Sequence, residues 1–412
     1  MSTAMSIRKR TWKSVAGEPK EAWIFDYVDQ AGKRHIRTFP RKKDAADYST
    51  TIKVEVRDGT HTASSQSVRV RDAGEKWIAT AEKNGLERST IDQYRQHLAI
   101  HINPYLGGHR LSELSAPLVR EFEDRLRQGV LAPGQEGEAR PRSVALTRKI
   151  MVSLGSMLAD AQERGLIARN VVRDLRSKRV RGKERRSDKR QKGKLKIGVD
   201  IPARQEIKAI VEALDGRWRP ILMTAIFTGL RASELRGLRW ADVDIEARTI
   251  HVRQRADRYN AMGAPKSEAG ERFVPMPPLV LNTLREWKLA CPRRKPEGQL
   301  DLVFPTGTGN IESLGNIINR GLVPAQTKAG VTTVGQGEEP KAKYTGMHAL
   351  RHFYASWCIN QRADGGLELP AKVVQERLGH SSIVMTMDVY GHLFPRNDDG
   401  SEMADAERAL LA

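Results

Sequence analysis

In the segment RLGHSSIVMTMDVYGHL, Arg377 to Leu393, a tyrosine stands ten residues after a histidine. Taken alone, Tyr390 reads equally well as an amphipathic residue at a helix end or as a nucleophile with His380 in its surroundings. The second half of the chain adds Arg231 in TGLRASEL, Lys266 in APKSEAGERFVP, and His348 with Arg351 in HALRH. Two arginines suit a phosphate that gains negative charge on becoming five-coordinate, because a guanidinium stays protonated and can bind two oxygens at once. Preorganised in that way they would form a metal-free electrostatic clamp. HALRH also places His348 and His352 four residues apart on one helix face, a spacing that can bind zinc. A third ligand does not declare itself nearby, and the glutamate expected beside the first histidine is missing. The sequence contains neither a phosphate-binding G-x-x-x-x-G-K-[ST] loop nor a strand-associated G-x-G-x-x-G.

The elements that must position these residues belong to a long, basic chain. At 412 residues, two or three domains are expected, and 39% hydrophobic residues suffice for proper cores. Seventy Lys and Arg against fifty Asp and Glu leave a net charge of +20, which points first to nucleic acid as partner and second to a membrane surface. No run approaches the roughly 20 apolar residues of a membrane span. The opening MSTAMSIRKR has no apolar segment behind it and does not read as a secretory signal. Cys291 and Cys358 suggest neither a disulfide framework nor a zinc knuckle, which fits a reduced, intracellular compartment.

Along the chain, AWIFDYVD and RHIRTFP alternate like two strands around QAGK, and RKKDAADYSTTIKVEVRDG reads as a following helix. This gives a β-β-α unit over residues 1–64, with Trp23, Phe25 and Phe39 available beneath its sheet. From 65 to 175 apolar residues recur at three- and four-residue spacing, predicting a helical domain of about four helices. Ser89 and Ser115 stand at expected N-caps, and Gly85, Gly107 and Gly165 at expected stops. Residues 176–196 hold twelve Lys or Arg against Glu184 and Asp188, a net of +10 in about a twentieth of the chain. Such a run has too little apolar content to fold alone and reads as a linker able to lie along phosphates. Its candidate DNA contacts are Arg176, Lys178, Arg179, Arg181, Lys183, Arg185, Arg186, Lys189 and Arg190. Residues 197–395 mix helices with short strands in RTIHVRQR and ERFVPM, and 396–412 end in a short helix with Met403, Ala406 and Leu410 on one stripe. The fold class expected is mainly α with small β-sheets.

Order and spacing in the last large segment resemble the tyrosine recombinases, the phage-integrase family, over Ile197–Leu393. The family's Gly-Leu-Arg-x-x-Glu is matched by Gly229, Leu230, Arg231 and Glu234. Its hairpin lysine is matched by Lys266, its His-x-x-Arg by His348 and Arg351, its Leu-Gly-His by Leu378, Gly379 and His380, and its nucleophile by Tyr390. Where the family often has a serine four residues after the lysine, this chain has Gly270.

The resemblance implies that Tyr390 attacks a DNA phosphodiester in line, forming a 3′-phosphotyrosyl bond as a 5′-hydroxyl leaves. Since free tyrosine has a pKa of about 10, Arg231 and Arg351 would favour the phenolate and His348 would accept its proton. Lys266 would be the acid for the leaving oxygen, His380 would bind a non-bridging oxygen, and Glu234 would steady Arg231 or its helix. Neither cofactor nor metal is implied. Residues 65–175 resemble the family's core-binding domain and 1–64 its arm-binding domain. The implied partners are therefore double-stranded DNA at core-type and arm-type sites, three further copies in a tetramer, a host DNA-bending protein and a phage directionality factor (an excisionase). The implied setting is the cytoplasm of a bacterial host. Alternatives are a recombinase for chromosome or plasmid dimer resolution, a type IB topoisomerase, and a DNA-binding regulator with a vestigial site.

Overall fold

The structure is a computed structural model and describes residues 5–14, 18–29, 32–57, 67–132, 134, 136–138, 140–179, 194–292, 300–335, 339–395 and 401–412. It divides into two units, Met1–Gln191 and Lys192–Ala412.

The first unit opens with a three-stranded antiparallel sheet in the order β1-β2-β3: Ser6–Lys13, Pro19–Val28 and Arg34–Phe39. Helix α1, Lys42–Arg57, follows. The expected β-β-α is thus corrected to β-β-β-α. Strand β1 reads SIRKRTWK, almost all of it exposed, so it carries little of the apolar alternation that marks a half-buried strand. Basic residues at a sheet edge of this kind discourage further strand pairing. Phe25, Tyr27 and Ile52 form the core, with Ile7, Phe39 and Tyr48 packed around them. Trp23 is only partly buried, with the Lys42 ammonium 5.2 Å from its ring centroid.

Helices α2 (Val70–Lys83), α3 (Arg88–Gln96), α4 (Asn103–Leu106), α5 (Ala116–Gln128), α6 (Val144–Glu163) and α7 (Val171–Arg179) complete this unit around a second core. Ser115 caps α5 as expected, accepting from the Leu118 amide. Ser89 does not cap α3. It lies inside the helix, whose N-cap is Glu87. Helix α7 runs four residues into the span read as linker. Beyond it, residues 180–193 lie outside the described residues, as do the side chains of Arg176, Lys178 and Arg179.

Between α3 and α4 the chain widens into a π turn, His97–Ile102, and Pro104 follows its last residue by two. The second unit repeats the arrangement: a π turn at Ile317–Leu322 precedes Pro324. Proline has no N–H and crowds the carbonyl four residues back, which is Ile100 or Arg320 and lies inside the π turn each time. The wider turn relieves that crowding without breaking the rod.

In the second unit, α8 (Arg204–Ala213) leads to α9 (Arg219–Thr228), which is apolar nearly all round and buried accordingly. Short α10 (Ala232–Arg236) precedes the strands. Strands β4 (Val243–Asp244), β5 (Thr249–Val252) and β8 (Arg272–Pro275) form one antiparallel sheet, and β6 (Arg255–Ala256) with β7 (Met262–Gly263) form a separate hairpin. Ile250, Val252, Arg272 and Val274 are buried, while His251 and Phe273 stack on the other face with centroids 4.2 Å apart. Helix α11 (Pro278–Ala290) follows. Helices α12 (Leu314–Asn316) and α13 (Val323–Lys328) flank the second π turn, and strands β9 (Thr332–Thr333) and β10 (Lys341–Ala342) pair next. The unit closes with α14 (His348–Ile359), α15 (Ala371–Leu378), α16 (Ile383–Tyr390) and α17 (Ser401–Leu411), whose Met403 and Leu410 are exposed. No helix among the described residues is long and apolar enough to cross a membrane.

Two buried histidines make the helical part of the first unit sensitive to acid. His97 bonds Ser153 Oγ at 2.8 Å, and His101 is pushed down to about 4 by burial and then by Arg142 and His97. The folded state keeps His101 neutral while the unfolded chain takes up a proton below pH 6.5. Stability is therefore full above that pH and falls as pH drops toward 4. His101→Gln should lose roughly 2 kcal/mol less stability than wild type between pH 7 and 5 in urea melts. An equal loss would contradict the assignment.

Candidate active site

Helix α15 ends at Gly379, whose left-handed φ of 61° turns the chain and leaves the last carbonyls without helical partners. Three successive carbonyls there each accept from a different arginine. Arg377 O accepts from Arg272 Nε at 2.8 Å, Leu378 O from Arg351 Nη2, and Gly379 O from Arg231 Nη2 at 2.9 Å. Arg351 also donates to Gly229 O at 2.6 Å, at the left-handed end of α9. A helix C-terminus favours cations, and hydrogen bonds to charged groups contribute about 1.5–3 kcal/mol each. At Gly229 a Cβ would fall 2.2 Å from the Tyr354 ring, so glycine is needed there for space as well as for its φ of 62°.

Glu234 joins the same cluster. Its carboxylate accepts from Arg231 Nη1 at 2.7 Å and from Arg272 Nη2 at 2.9 Å, and caps α10 through the Arg231 amide. Burial alone would raise its pKa, but Arg272 and then Arg231 and Arg351 hold it down at about 2. Arg351 is only 2% exposed, and burial with the nearby charge of Arg231 lowers it to about 9, so it stays charged at neutral pH.

Tyr390 closes α16 and is 2% exposed. Its hydroxyl lies 2.7 Å from His352 Nδ1, and its ring is parallel to His380 with centroids 6.4 Å apart. His380 is itself fixed at both ends of its backbone by Gln375 and through Nδ1 by Thr386 Oγ1 at 3.0 Å. Burial pushes Tyr390 up to about 12, and the pull of Arg351 and Arg231 offsets only part of that. The two arginines thus pull toward the phenolate in the expected direction, but burial outweighs them and the phenol stays protonated. His348, His352 and His380 are all lowered, first by burial and then by neighbouring charge, His352 and His380 to about 4. All three are neutral at pH 7.

Of the sequence-derived site residues, Arg231, Glu234, Arg351, His380 and Tyr390 are tied into this cluster, and His348 stands at the exposed start of α14 with its ring against His352 at 4.6 Å. Lys266 is exposed on the loop that joins β7 to a 3₁₀ turn at Glu268–Gly270, beyond the hairpin rather than at its tip. The unexpected glycine at 270 has a steric reason: a Cβ would lie 2.5 Å from Pro265 Cβ. Two residues were missed. Arg272 occupies an inward strand position where an apolar side chain is expected, and the alternation of ERFVP was the available signal. His352 was weighed only as half of a zinc pair.

Residues 203–396 match the phage integrase family. That span is a domain of that family, the tyrosine recombinases. Over 353 residues it is 24% identical to a tyrosine recombinase XerC-like protein of Caldanaerobacter subterraneus subsp. tengcongensis, covering 80% of this chain and 81% of that one. It is 23% identical to the ICEBs1 integrase of Bacillus subtilis (strain 168) over 399 residues, covering 94% and 96%. A Tn1549 transposon integrase solved with a circular intermediate DNA has the same fold, with a TM-score of 0.59 at 20% identity, over 82% of this chain and 99% of that one.

The buried carboxylate among the arginines sets a stability test. Removing one partner of a buried ion pair costs about 3–5 kcal/mol. Glu234→Ala should lose that much in urea unfolding because Arg272 is left buried and unpaired, whereas exposed Glu212→Ala should change stability by less than about 0.5 kcal/mol. Equal effects would show that the carboxylate does not hold the cluster.

Proposed function

We propose that the chain is the integrase of a phage or related mobile element, and that Tyr390 is its nucleophile. The observation that carries this reading is the buried Tyr390 hydroxyl, bonded to His352 and within the field of two guanidiniums, Arg231 and Arg351, whose orientation is fixed by helix-end carbonyls. Tyr390 Oη attacks the scissile phosphorus, the bond to the 5′-oxygen breaks, and a 3′-phosphotyrosyl ester remains. Arg231 and Arg351 take up the charge that develops on the non-bridging oxygens. A neutral His380 whose Nδ1 accepts from Thr386 has Nε2–H free to donate to one of them. Lys266 protonates the leaving 5′-oxygen. The ester conserves the energy of the broken bond, so rejoining needs no ATP.

Exchanging both strands of two duplexes takes four such tyrosines, hence a tetramer on DNA. Residues 65–175 serve as the core-site clamp, the basic run 176–196 as a strap along phosphates, and 1–64 as the reader of arm-type sites. The bacterial cytoplasm, a host DNA-bending protein and an excisionase complete the reading. The two mobile-element relatives favour it. The XerC-like relative favours a second reading, dimer resolution, in which 1–64 would be dispensable.

The test begins with a pool of random-sequence duplexes, each nicked so that cleavage is trapped. Incubation with wild type without ATP should yield a protein–DNA adduct that survives denaturing electrophoresis, from which a cleaved duplex is recovered. Tyr390→Phe should form none while binding that duplex with the same affinity. An adduct from Tyr390→Phe would remove Tyr390 as nucleophile. In donor cells, deleting residues 1–64 should abolish integration and spare core-site binding. Undiminished recombination would favour dimer resolution.

A further inference from the structure

In the HALRH turn of α14, the histidine that touches the reacting atom is the second one. Among the described residues, His352 Nδ1 is the hydrogen-bond partner of the Tyr390 hydroxyl, at 2.7 Å. The two rings meet edge-on at 63° with centroids 5.7 Å apart. His348 lies one turn earlier on the same helix face, exposed, and meets His352 edge-on at 84°. Its ring thus flanks the base rather than the phenol.

We propose that His352 is the group that takes the proton from Tyr390 as the tyrosine attacks, the role first assigned to His348. The inference rests on Tyr390 being the nucleophile. For Nδ1 to accept, the imidazole carries its hydrogen on Nε2 and is neutral. Charge around the ring favours that state. His348 and Arg351 on its own helix oppose protonation, Asp200 from the turn before α8 favours it weakly, and Tyr390 faces it from α16. A bound phosphodiester brings negative charge that offsets Arg351 and strengthens the base when substrate is present.

The step balances. As the Oη–P bond forms, the Oη–H bond breaks and its proton moves to Nδ1. The P–O5′ bond breaks with its electron pair on the 5′-oxygen, which takes a proton from Lys266. In the reverse step the 5′-hydroxyl attacks phosphorus and gives its proton back to Lys266, the P–Oη bond breaks, and His352 returns its proton to the tyrosine.

The experiment measures single-turnover adduct formation on the duplex recovered with wild type, at saturating protein. His352→Asn places an amide near the position of Nδ1, so it can still hold the hydroxyl but cannot carry its proton. His352→Ala does neither. Both should form adduct about 100-fold or more slowly, with duplex Kd within about twofold of wild type and a thermal melt that stays cooperative. The acid limb of the wild-type pH–rate profile should be lost in both and kept in His348→Gln. Replacing the 5′-oxygen with sulfur, a leaving group that needs no acid, should restore Lys266→Ala but neither His352 variant.

An Asn variant as fast as wild type beside a slow Ala variant would mean that His352 only holds the tyrosine, and would overturn the proposal. So would rescue of either variant by the sulfur substrate. If wild type formed no adduct, or Tyr390→Phe formed one, the nucleophile assignment itself would fall and the proposal with it.

Discussion

The site depends on the C-terminus of one short helix. Arg377, Leu378 and Gly379 at the end of α15 present three carbonyls in succession, and each is satisfied by a different arginine from elsewhere in the chain. Carbonyls at a helix end must find donors or remain costly. Guanidinium supplies donors in a rigid fork and keeps its charge, so the same bonds that finish the helix also fix the direction of the cations. Glu234 offsets their mutual repulsion from the opposite side. A lysine could supply the charge but not the rigid planar fork that fixes its direction.

The proposed nucleophile is held in reserve by the same surroundings. Burial keeps the Tyr390 phenol protonated, and two neutral imidazoles, His352 and His380, stand beside it. In the proposed reaction an incoming phosphodiester changes this balance, since its charge compensates the arginines and gives the phenolic proton somewhere to go. In that reaction, activation comes with substrate.

Much of this was legible in the sequence, part of it from periodicity and part from resemblance. The apolar patterns of α2, α5, α6 and α9 locate those helices, and the resemblance to the tyrosine recombinases, carried by Arg231, His348, Arg351, His380 and Tyr390, groups the site residues. What escaped depends on contacts that local pattern does not carry. Strand β1 is a basic edge strand with hardly a buried side chain, so pairing with β2 rather than amphipathicity makes it a strand. Arg272 reads as a surface residue until the fold places Glu234 opposite it. His352 was read with its neighbour His348 as a metal pair, whereas its partner lies 38 residues away. The two π turns arise from a proline placed two residues beyond each, and simple helical patterning cannot distinguish them from ordinary helix.

The central claim is that the direction of the guanidiniums, fixed by helix-end carbonyls, matters beyond their charge. Arg231→Lys tests it most directly, because it keeps the charge and removes the fork. At matched duplex occupancy, the account predicts covalent adduct formation slower by about a hundredfold or more, in line with the loss of a preorganised transition-state donor, with binding unchanged. Adduct formation at the wild-type rate would contradict it, and would mean that a positive charge near the phosphate is enough.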